Sequence, residues 1–277
     1  MVFKYFHKSV HFMLVASAFL GFSSLLSFEI RYQSGTEKVG YKNSNMQTNG
    51  ELTLLWNFLK QGDIVFDVGA NRGEWSQHAL EKTSSIQLFA FEPIPEVFAI
   101  LKMNFLSLSN VKIFAYALSN DLGKASFYHY LEHSDMSGFY DRPILQSNFN
   151  YNPPQQISVA LETLDHFCST QSVSKIDFLK IDTEGAEWKV LDGARNLLEN
   201  HQIRAIQFEY GGCYTDAGTT LKQVVQLLTK NGYIIFRIIP TGLIHISHWS
   251  PSLENFEYSN YFAIYQEDMP SYDLVKF

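Results

Sequence analysis

Four short segments place acidic side chains beside glycine or at the end of an apolar run, where they could bind a polar ligand. They are IVFDVGANRGEWS at 64–76, FAFEPIP at 89–95, FLKIDTEGAEW at 178–188 and QFEYGG at 207–212. Carboxylates in such positions can accept hydrogen bonds from ammonium or hydroxyl groups, bind a divalent cation, or remove a proton from an acceptor. The neighbouring residues and the spacing indicate which chemistry each segment favours.

The first segment is typical of a strand that ends in an acid and turns through glycine into a helix. Gly69 and Gly73 allow a tight turn and a close approach of the backbone to a ligand. Together with Ala70 and Asn71 they form the predicted cofactor-binding turn. Asp67 is expected to accept hydrogen bonds from a ligand's ammonium group. An ordinary strand–helix turn is the alternative interpretation.

The same turn distinguishes two kinds of nucleotide cofactor. A dinucleotide fold uses G-x-G-x-x-G to seat a pyrophosphate at a helix N-terminus. Here the run is G-A-N-R-G, so Asn71 stands at the middle glycine position and the third glycine is missing. An acid directly before the turn also suits a cationic amino-acid moiety better than a pyrophosphate. These residues favour S-adenosylmethionine, and a nicotinamide-dependent oxidoreductase is the alternative.

The second segment contains Glu92, which lies 23 residues after Gly69. An acid at the end of the second strand can accept hydrogen bonds from both ribose hydroxyls, with either kind of cofactor. In such folds the adenine lies against the end of the third strand, where Ala117 and Leu118 offer backbone groups and an apolar wall. Glu92, Ala117 and Leu118 are therefore predicted to bind the cofactor.

The third and fourth segments supply the candidate catalytic residues Asp182, Glu184 and Glu209. Asp182 and Glu209 each end a predicted core strand, and open α/β sheets bind ligands at that edge, so Asp182 is also expected to contact the cofactor. Two carboxylates there could bind Mg²⁺, orient a sugar or act as a general base. The residue types do not decide among these roles. Glu184 and Glu187 could instead have a structural role, because acidic side chains at a helix N-terminus are stabilised by the helix dipole.

Apolar runs and amphipathic segments alternate along the chain and must position these residues. The predicted core strands are 64–68, 86–91, 111–118, 176–181, 203–208, 233–239 and 261–265. The predicted helices are 51–60, 74–82, 95–106, 185–200 and 219–230. This alternation predicts a parallel sheet with helices on both faces. Residues 125–130 are expected to form an accessory strand, and 134–156 a long loop that is either a lid or a surface insertion.

The bulk composition excludes several classes of protein. The 277 residues are 46% hydrophobic and 18% charged, which is typical of a folded chain. The net charge of −7 argues against a nucleic-acid-binding face, which is usually basic. The two cysteines, Cys168 and Cys213, lack the spacing of a zinc site or a disulfide framework.

The N-terminus is distinct from the rest of the chain. Residues 9–28 contain no Asp, Glu, Lys or Arg and are long enough to cross a bilayer as a helix. A membrane anchor, a signal peptide and a helix of a soluble protein all remain open. We expect residues 1–30 to be this hydrophobic segment, 31–50 to be a polar linker, and 51–277 to fold as one domain.

The chain resembles the FkbM family of methyltransferases. Four segments carry the resemblance, in this order: DVGANRG, FEP, FLKIDTEGAEWKVLDGA and FEYGG. The D-x-E-G-x-E pattern at 182–187 is the most specific part of the resemblance, which covers 62–210. The C-terminal end, through 265, is similar to class I methyltransferases in general. The resemblance implies a Rossmann-like α/β fold with a seven-stranded class I methyltransferase sheet, mostly parallel with an antiparallel last strand.

The resemblance also implies methyl transfer from S-adenosylmethionine, mainly to a hydroxyl oxygen. The expected acceptor is a sugar, a glycan or another small molecule. Because S-adenosylmethionine is made in the cytosol, the catalytic domain is expected to face the cytoplasm even if residues 9–28 associate with a membrane. A non-catalytic, membrane-tethered nucleoside-binding module is the second alternative to a methyltransferase.

Overall fold

The computed structural model describes residues 29–32 and 42–269. The predicted hydrophobic segment at 9–28 lies outside these residues. In the described part of the chain, no helix combines the length and the apolarity needed to cross a membrane. The part of the predicted linker from Lys42 onward contacts the domain. The Lys42 N–H donates a hydrogen bond of 2.9 Å to the Tyr258 carbonyl.

The helices and strands follow the predicted alternation closely. The helices α1 to α9 of the described residues are Glu51–Phe58, Glu74–Lys82, Pro95–Asn104, Pro143–Phe149, Leu164–Thr170, Glu187–Asp192, Arg195–Glu199, Cys213–Ala217 and Leu221–Lys230. The strands β1 to β12 are Glu29–Tyr32, Ile64–Val68, Gln87–Phe91, Val111–Phe114, Ala117–Leu118, Gly123–His129, Gln155–Glu162, Phe178–Ile181, Ala205–Tyr210, Tyr233–Ile239, Gly242–Ile246 and Ser259–Tyr265.

The large sheet has nine strands in the order β1-β11-β10-β12-β9-β8-β2-β3-β4. The strands from β4 to β9 in this order are parallel, and β12 lies antiparallel between β9 and β10. This confirms the predicted Rossmann-like sheet with an antiparallel last strand. The sheet exceeds the expected seven strands because β10 continues into the antiparallel strand β11, and β1 pairs with β11. Strand β1 crosses the predicted boundary between the hydrophobic segment and the linker.

The two faces of the sheet have separate apolar cores. Successive side chains of a strand point to opposite faces. Val65 and Phe178 accordingly pack in one core with helices α1 and α2, whereas Phe66 and Leu179 pack in the other with helices α5 to α9. Burial on both faces explains why these central strands are continuous apolar runs in the sequence.

The predicted helix at 185–200 is wrong, because the chain forms the two short helices α6 and α7 instead. The break falls at Gly193, whose carbonyl accepts a hydrogen bond of 3.0 Å from the Asp165 N–H. A Cβ at this position would lie 2.0 Å from the Ser119 carbonyl oxygen. The Asp165 carboxylate then accepts hydrogen bonds from the N–H groups of Asn196 and Leu197 in the first turn of α7.

The predicted third strand at 111–118 also divides. Its first part is β4 of the large sheet, and its second part is β5 of a three-stranded sheet in the order β5-β7-β6. The accessory strand expected at 125–130 is β6, which runs antiparallel to β7. The stretch at 134–156 is not structureless, since it contains a 3₁₀ turn, helix α4 and a bridge between Tyr128 and Gly138.

Candidate active site

A cavity of about 530 Å³ opens at the carboxyl ends of β2, β3, β8 and β9. This volume falls in the range of small-molecule and cofactor sites. Nearly all the site residues predicted from the sequence line it: Gly69, Ala70, Asn71, Glu92, Ala117, Leu118, Asp182, Glu184 and Glu209. Gly73 shapes the turn beneath the cavity, and Asp67 lies elsewhere.

The glycine turn requires its glycines. Gly69 has a φ of +79°, and a Cβ on it would lie 1.8 Å from the Asp182 carbonyl oxygen. Gly73 has a φ of +89°, and a Cβ there would lie 2.4 Å from the Phe105 ring. Between them, Asn71 also takes a left-handed conformation with a φ of +48°. The turn therefore brings the backbone against strand β8 more closely than any other residue type would allow.

Asp67 was expected to contact a ligand, and the structure corrects this expectation. Its side chain is fully buried. One carboxylate oxygen accepts a hydrogen bond of 2.6 Å from the Ser76 hydroxyl, and the other lies 3.3 Å from the Lys180 ammonium. Asp67 has no exposed surface and does not line the cavity, so we expect it to position the turn rather than to contact the cofactor.

Lys180 is a site residue that the sequence reasoning missed. Its ammonium lies 3.3 Å from Asp67 and 3.2 Å from Asp182, and its side chain is 7% exposed. Burial disfavours the charged ammonium, but the neighbouring carboxylates outweigh this and raise the pKa of Lys180. A lysine inside the apolar run FLKI was the available signal, because charged residues are rarely buried unless they are paired.

Glu92 lies where a ribose would be expected. Its Oε2 accepts a hydrogen bond of 3.0 Å from the Asn71 N–H, and its Oε1 accepts one of 2.8 Å from the Ile94 N–H. Burial raises the pKa of Glu92 to about 7, against the lowering effect of these two hydrogen bonds. Each oxygen retains a lone pair for a further donor, so the carboxyl can still accept hydroxyl groups.

Asp182 and Glu187 belong to one motif but have different surroundings. The side chain of Asp182 is 37% exposed, points to the cavity and is paired with Lys180. Glu187 is fully buried, and its carboxylate accepts hydrogen bonds from the N–H groups of Thr183 and Gly185 at 2.8 and 3.0 Å. Glu187 therefore fixes the turn before α6, as the helix-terminus explanation predicted, while Asp182 remains accessible.

Glu184 lines the cavity from a strained backbone position with a φ of +54°. Its carboxylate is paired at 2.5 Å with the guanidinium of Arg142, which precedes helix α4 and also lies 3.6 Å from Asp216. Burial raises the pKa of Glu184 to about 8 despite this cation. Arg142 was not identified from the sequence, and it gives the long segment at 134–156 an electrostatic link to the site.

Glu209 is almost buried, at 8% exposure, and lines the cavity beside Asp182 and Glu184. Burial and then these neighbouring carboxylates raise its pKa well above the ordinary range. Ligand atoms of Glu184, Glu209 and Cys213 lie within 4.8 Å of one another. This group suits Mg²⁺ poorly, because Glu184 is already neutralised by Arg142 and a thiol is not a ligand that Mg²⁺ favours.

The arrangement fits S-adenosylmethionine at the β2 and β3 end of the cavity. The glycine turn leaves room for a ligand close to the backbone, Glu92 can accept the ribose hydroxyls, and Ala117 with Leu118 forms an apolar wall. Residues 67–235, more than half of the chain, match the family described as the Methyltransferase FkbM domain. The chain belongs to this family.

Three relatives of this FkbM methyltransferase are similar over most of its domain. The 2-O-methyltransferase NoeI of Sinorhizobium fredii is 27% identical, covering 67% of this chain and 78% of the relative. The 31-O-demethyl-FK506 methyltransferase FkbM of Streptomyces tacrolimicus is 27% identical, covering 64% and 75%. The hexuronic acid methyltransferase AglP of Haloferax volcanii is 28% identical, covering 65% and 66%.

The chain is therefore an S-adenosylmethionine-dependent methyltransferase, as the sequence predicted. Neither alternative is supported. A nicotinamide-dependent oxidoreductase is not among these likenesses, and the turn lacks the dinucleotide glycine pattern. A non-catalytic binding module is disfavoured by a cavity that continues past the cofactor turn to Asp182, Glu184 and Glu209.

Proposed function

We propose that this enzyme transfers a methyl group from S-adenosylmethionine to a hydroxyl oxygen of a sugar, a glycan or another small molecule. One observation carries the proposal: a continuous cavity extends from the glycine turn and Glu92 to Asp182 and Glu209. A nucleoside and an acceptor can therefore be bound side by side, which supplies proximity and orientation.

The names of the relatives support the choice of acceptor atom and class. NoeI is a 2-O-methyltransferase, and the Streptomyces enzyme acts on 31-O-demethyl-FK506, so both names specify an oxygen. AglP is a hexuronic acid methyltransferase, which names a sugar acid. Two of these names thus support an oxygen acceptor, and the third supports a sugar as the acceptor class.

S-adenosylmethionine supplies a methyl group that its sulfonium has already activated, so the protein mainly has to align the acceptor and accept its proton. Glu92 would hold the ribose hydroxyls through the lone pairs that the backbone leaves free. Ala117 and Leu118 would flank the adenine, and the glycine turn would lie close to the amino-acid moiety.

Asp182 is the residue that we assign as the general base. With S-adenosylmethionine bound, the methyl carbon would bond to the acceptor oxygen as its C–S bond breaks and S-adenosylhomocysteine leaves, and the acceptor's proton would pass to a carboxylate. Asp182 is accessible and oriented by Lys180. Glu209 is less suited, because it is almost buried and no cation among the described residues orients it. Glu209 and Glu184 are assigned to orienting the acceptor.

Calorimetry with S-adenosylhomocysteine on the full chain tests the cofactor assignment. We expect micromolar affinity and no heat of binding with NAD. Transfer of labelled methyl groups from S-adenosylmethionine to a panel of monosaccharides then tests the acceptor class. Failure to bind S-adenosylhomocysteine would contradict the proposal. Mg²⁺ dependence stays a prediction, and it is tested by adding EDTA and then restoring Mg²⁺.

Membrane association rests on residues 9–28, which lie outside the described residues. The proposed topology has the catalytic domain facing the cytosol, where its cofactor is made. In sealed vesicles with the cytosolic side inward, added protease should leave the domain intact. Digestion of the domain in such vesicles would overturn this topology.

A further inference from the structure

The acceptor end of the cavity is acidic. The carboxyl groups that line it beyond the cofactor turn belong to Glu132, Asp135, Asp182, Glu184 and Glu209. The cations among the described lining residues are Arg72, which lies on the cofactor turn, and Lys180, which is paired with Asp182. Arg72 follows β2, so on the β9 side of the cavity an anionic group would meet several carboxyl groups, and Lys180 in the adjacent strand β8 is already paired with Asp182.

Glu209 differs from its acidic neighbours because it has no partner. Asp182 is paired with Lys180, and Glu184 is paired with Arg142. No described residue forms an ion pair or donates a hydrogen bond to the Glu209 carboxyl, although this residue is 8% exposed. The Glu209 carboxyl lines the cavity, so a ligand bound there can supply the hydrogen bond that no described residue makes.

The sheet places Glu209 away from the cofactor turn. The turn follows β2, and Glu209 lies in β9, with β8 between them. Adjacent strands are spaced by roughly 4.8 Å, so Glu209 lies about 10 Å across the sheet from the end of β2. The proposed ribose position lies on the opposite side of β2, at Glu92 after β3. The donor to Glu209 is therefore expected from the acceptor rather than from the nucleoside.

We propose that the acceptor is a sugar without an anionic group, that it presents a hydrogen-bond donor to Glu209, and that the ammonium group of an amino sugar fits this position best. The proposal deepens the proposed O-methyltransferase function and rests on it. An ammonium group would form a charge-assisted hydrogen bond, which is stronger than a neutral one. A uronic acid, the acceptor class named for the Haloferax relative, would instead place a carboxylate among carboxyl groups.

Binding of three matched glycosides to the full chain saturated with S-adenosylhomocysteine tests the proposal. The probes are methyl glucosaminide, methyl glucoside and methyl glucuronide, measured by calorimetry at neutral pH. We expect the glucosaminide to bind at least tenfold more tightly than the glucuronide, with the glucoside between them. Equal affinities, a preference for the glucuronide, or no detectable binding of the glucosaminide would overturn the proposal.

Two variants test whether Glu209 causes the preference for the glucosaminide. Glu209→Gln should reduce the preference for the glucosaminide over the glucoside by about tenfold, since it removes the charge that the ammonium group would contact. Glu132→Gln removes an exposed carboxylate at the rim and should change this preference less than twofold. Equal effects of the two substitutions would overturn the role of Glu209.

The cofactor measurement separates this inference from the proposed function. Affinity of Glu209→Gln for S-adenosylhomocysteine should stay within threefold of the unsubstituted chain. A tenfold loss would assign Glu209 to the cofactor and overturn the inference, while the methyltransferase function would stand. Failure of the unsubstituted chain to bind S-adenosylhomocysteine would contradict the proposed function itself.

Discussion

The two ends of the cavity are built in different ways. At the cofactor end the backbone positions the groups that face the cavity. Positive φ angles shape the glycine turn, and two backbone N–H groups donate hydrogen bonds to Glu92. At the acceptor end the carboxylates are positioned by ion pairs with other side chains. Lys180 pairs with Asp182, and Arg142 pairs with Glu184. Glu209 stands apart without a partner among the described residues.

This difference suggests how one fold can keep its cofactor and change its acceptor. A turn that depends on backbone geometry tolerates few substitutions, because a Cβ on Gly69 would collide with strand β8. An acceptor end made of ion pairs can change its charge and shape through single substitutions that leave the backbone in place. Substitutions at each end should therefore separate cofactor binding from turnover.

The largest expected effect is on the acceptor side. Asp182→Asn should lower turnover by roughly 10²–10⁴-fold, because it removes the proposed proton acceptor. Affinity for S-adenosylhomocysteine should change much less. Kinetics and calorimetry on the same purified variant measure both quantities.

Asp165→Asn is the matched control for this substitution. The Asp165 carboxylate accepts backbone hydrogen bonds at the start of α7 and lies outside the cavity lining. This variant should lose about 1 kcal/mol of stability and keep near-normal turnover. If Asp182→Asn behaves in the same way, Asp182 is a structural residue and not the base.

Asp67→Ala should affect stability more than any contact with the cofactor. It removes a carboxylate that is fully buried and leaves Ser76 without its acceptor and Lys180 with one fewer counter-charge. We expect a loss of about 3–5 kcal/mol in the free energy of unfolding, measured by denaturant titration. Glu257→Ala, which breaks an ion pair with the exposed Lys42, should cost less than about 1 kcal/mol. A similar small loss for Asp67→Ala would show that its burial contributes little.

Glu92→Ala should weaken the cofactor end specifically. Loss of the proposed hydrogen bonds to the ribose should reduce S-adenosylhomocysteine affinity by about tenfold or more. The ratio of affinities for two acceptor glycosides should stay the same, because Glu92 lies on the other side of β2 from the acceptor carboxylates. An unchanged affinity for S-adenosylhomocysteine in a folded variant would remove Glu92 from the cofactor site.

The smallest expected effect is on the pH dependence of stability. The pKa values of Glu92 and Glu187 are raised to about 7 from an ordinary value of 4.5. Between these values the folded chain binds more protons than the unfolded chain, so the free energy of unfolding falls as pH rises through 7. Melting temperature should decrease from about pH 4.5 to about pH 7, and Glu187→Gln should reduce that decrease. The exposed Glu199→Gln should leave it unchanged, and an identical slope in both variants would contradict the assignment.

Local motifs were the most predictable part of the molecule. The strand, turn and helix around Gly69 and Gly73 depend on contiguous residues and on the conformational freedom of glycine, so the pattern predicts them directly. Glu92 followed from its spacing to the turn. The alternating elements predicted the parallel sheet, but the pairing of β1 with β11 and the break at Gly193 depend on neighbours that are distant in the chain.

The sequence by itself determined the cofactor turn, the alternation of the central strands with helices, and the expectation that Asp182 and Glu209 share one rim. Only the tertiary structure decided what each carboxylate contacts. Lys180 reaches Asp67 across 113 positions of the chain, and Arg142 reaches Glu184 across 42. The physical reason is that a carboxylate's role depends on its burial and on the donors around it, and both are set by packing between elements that are distant in the sequence.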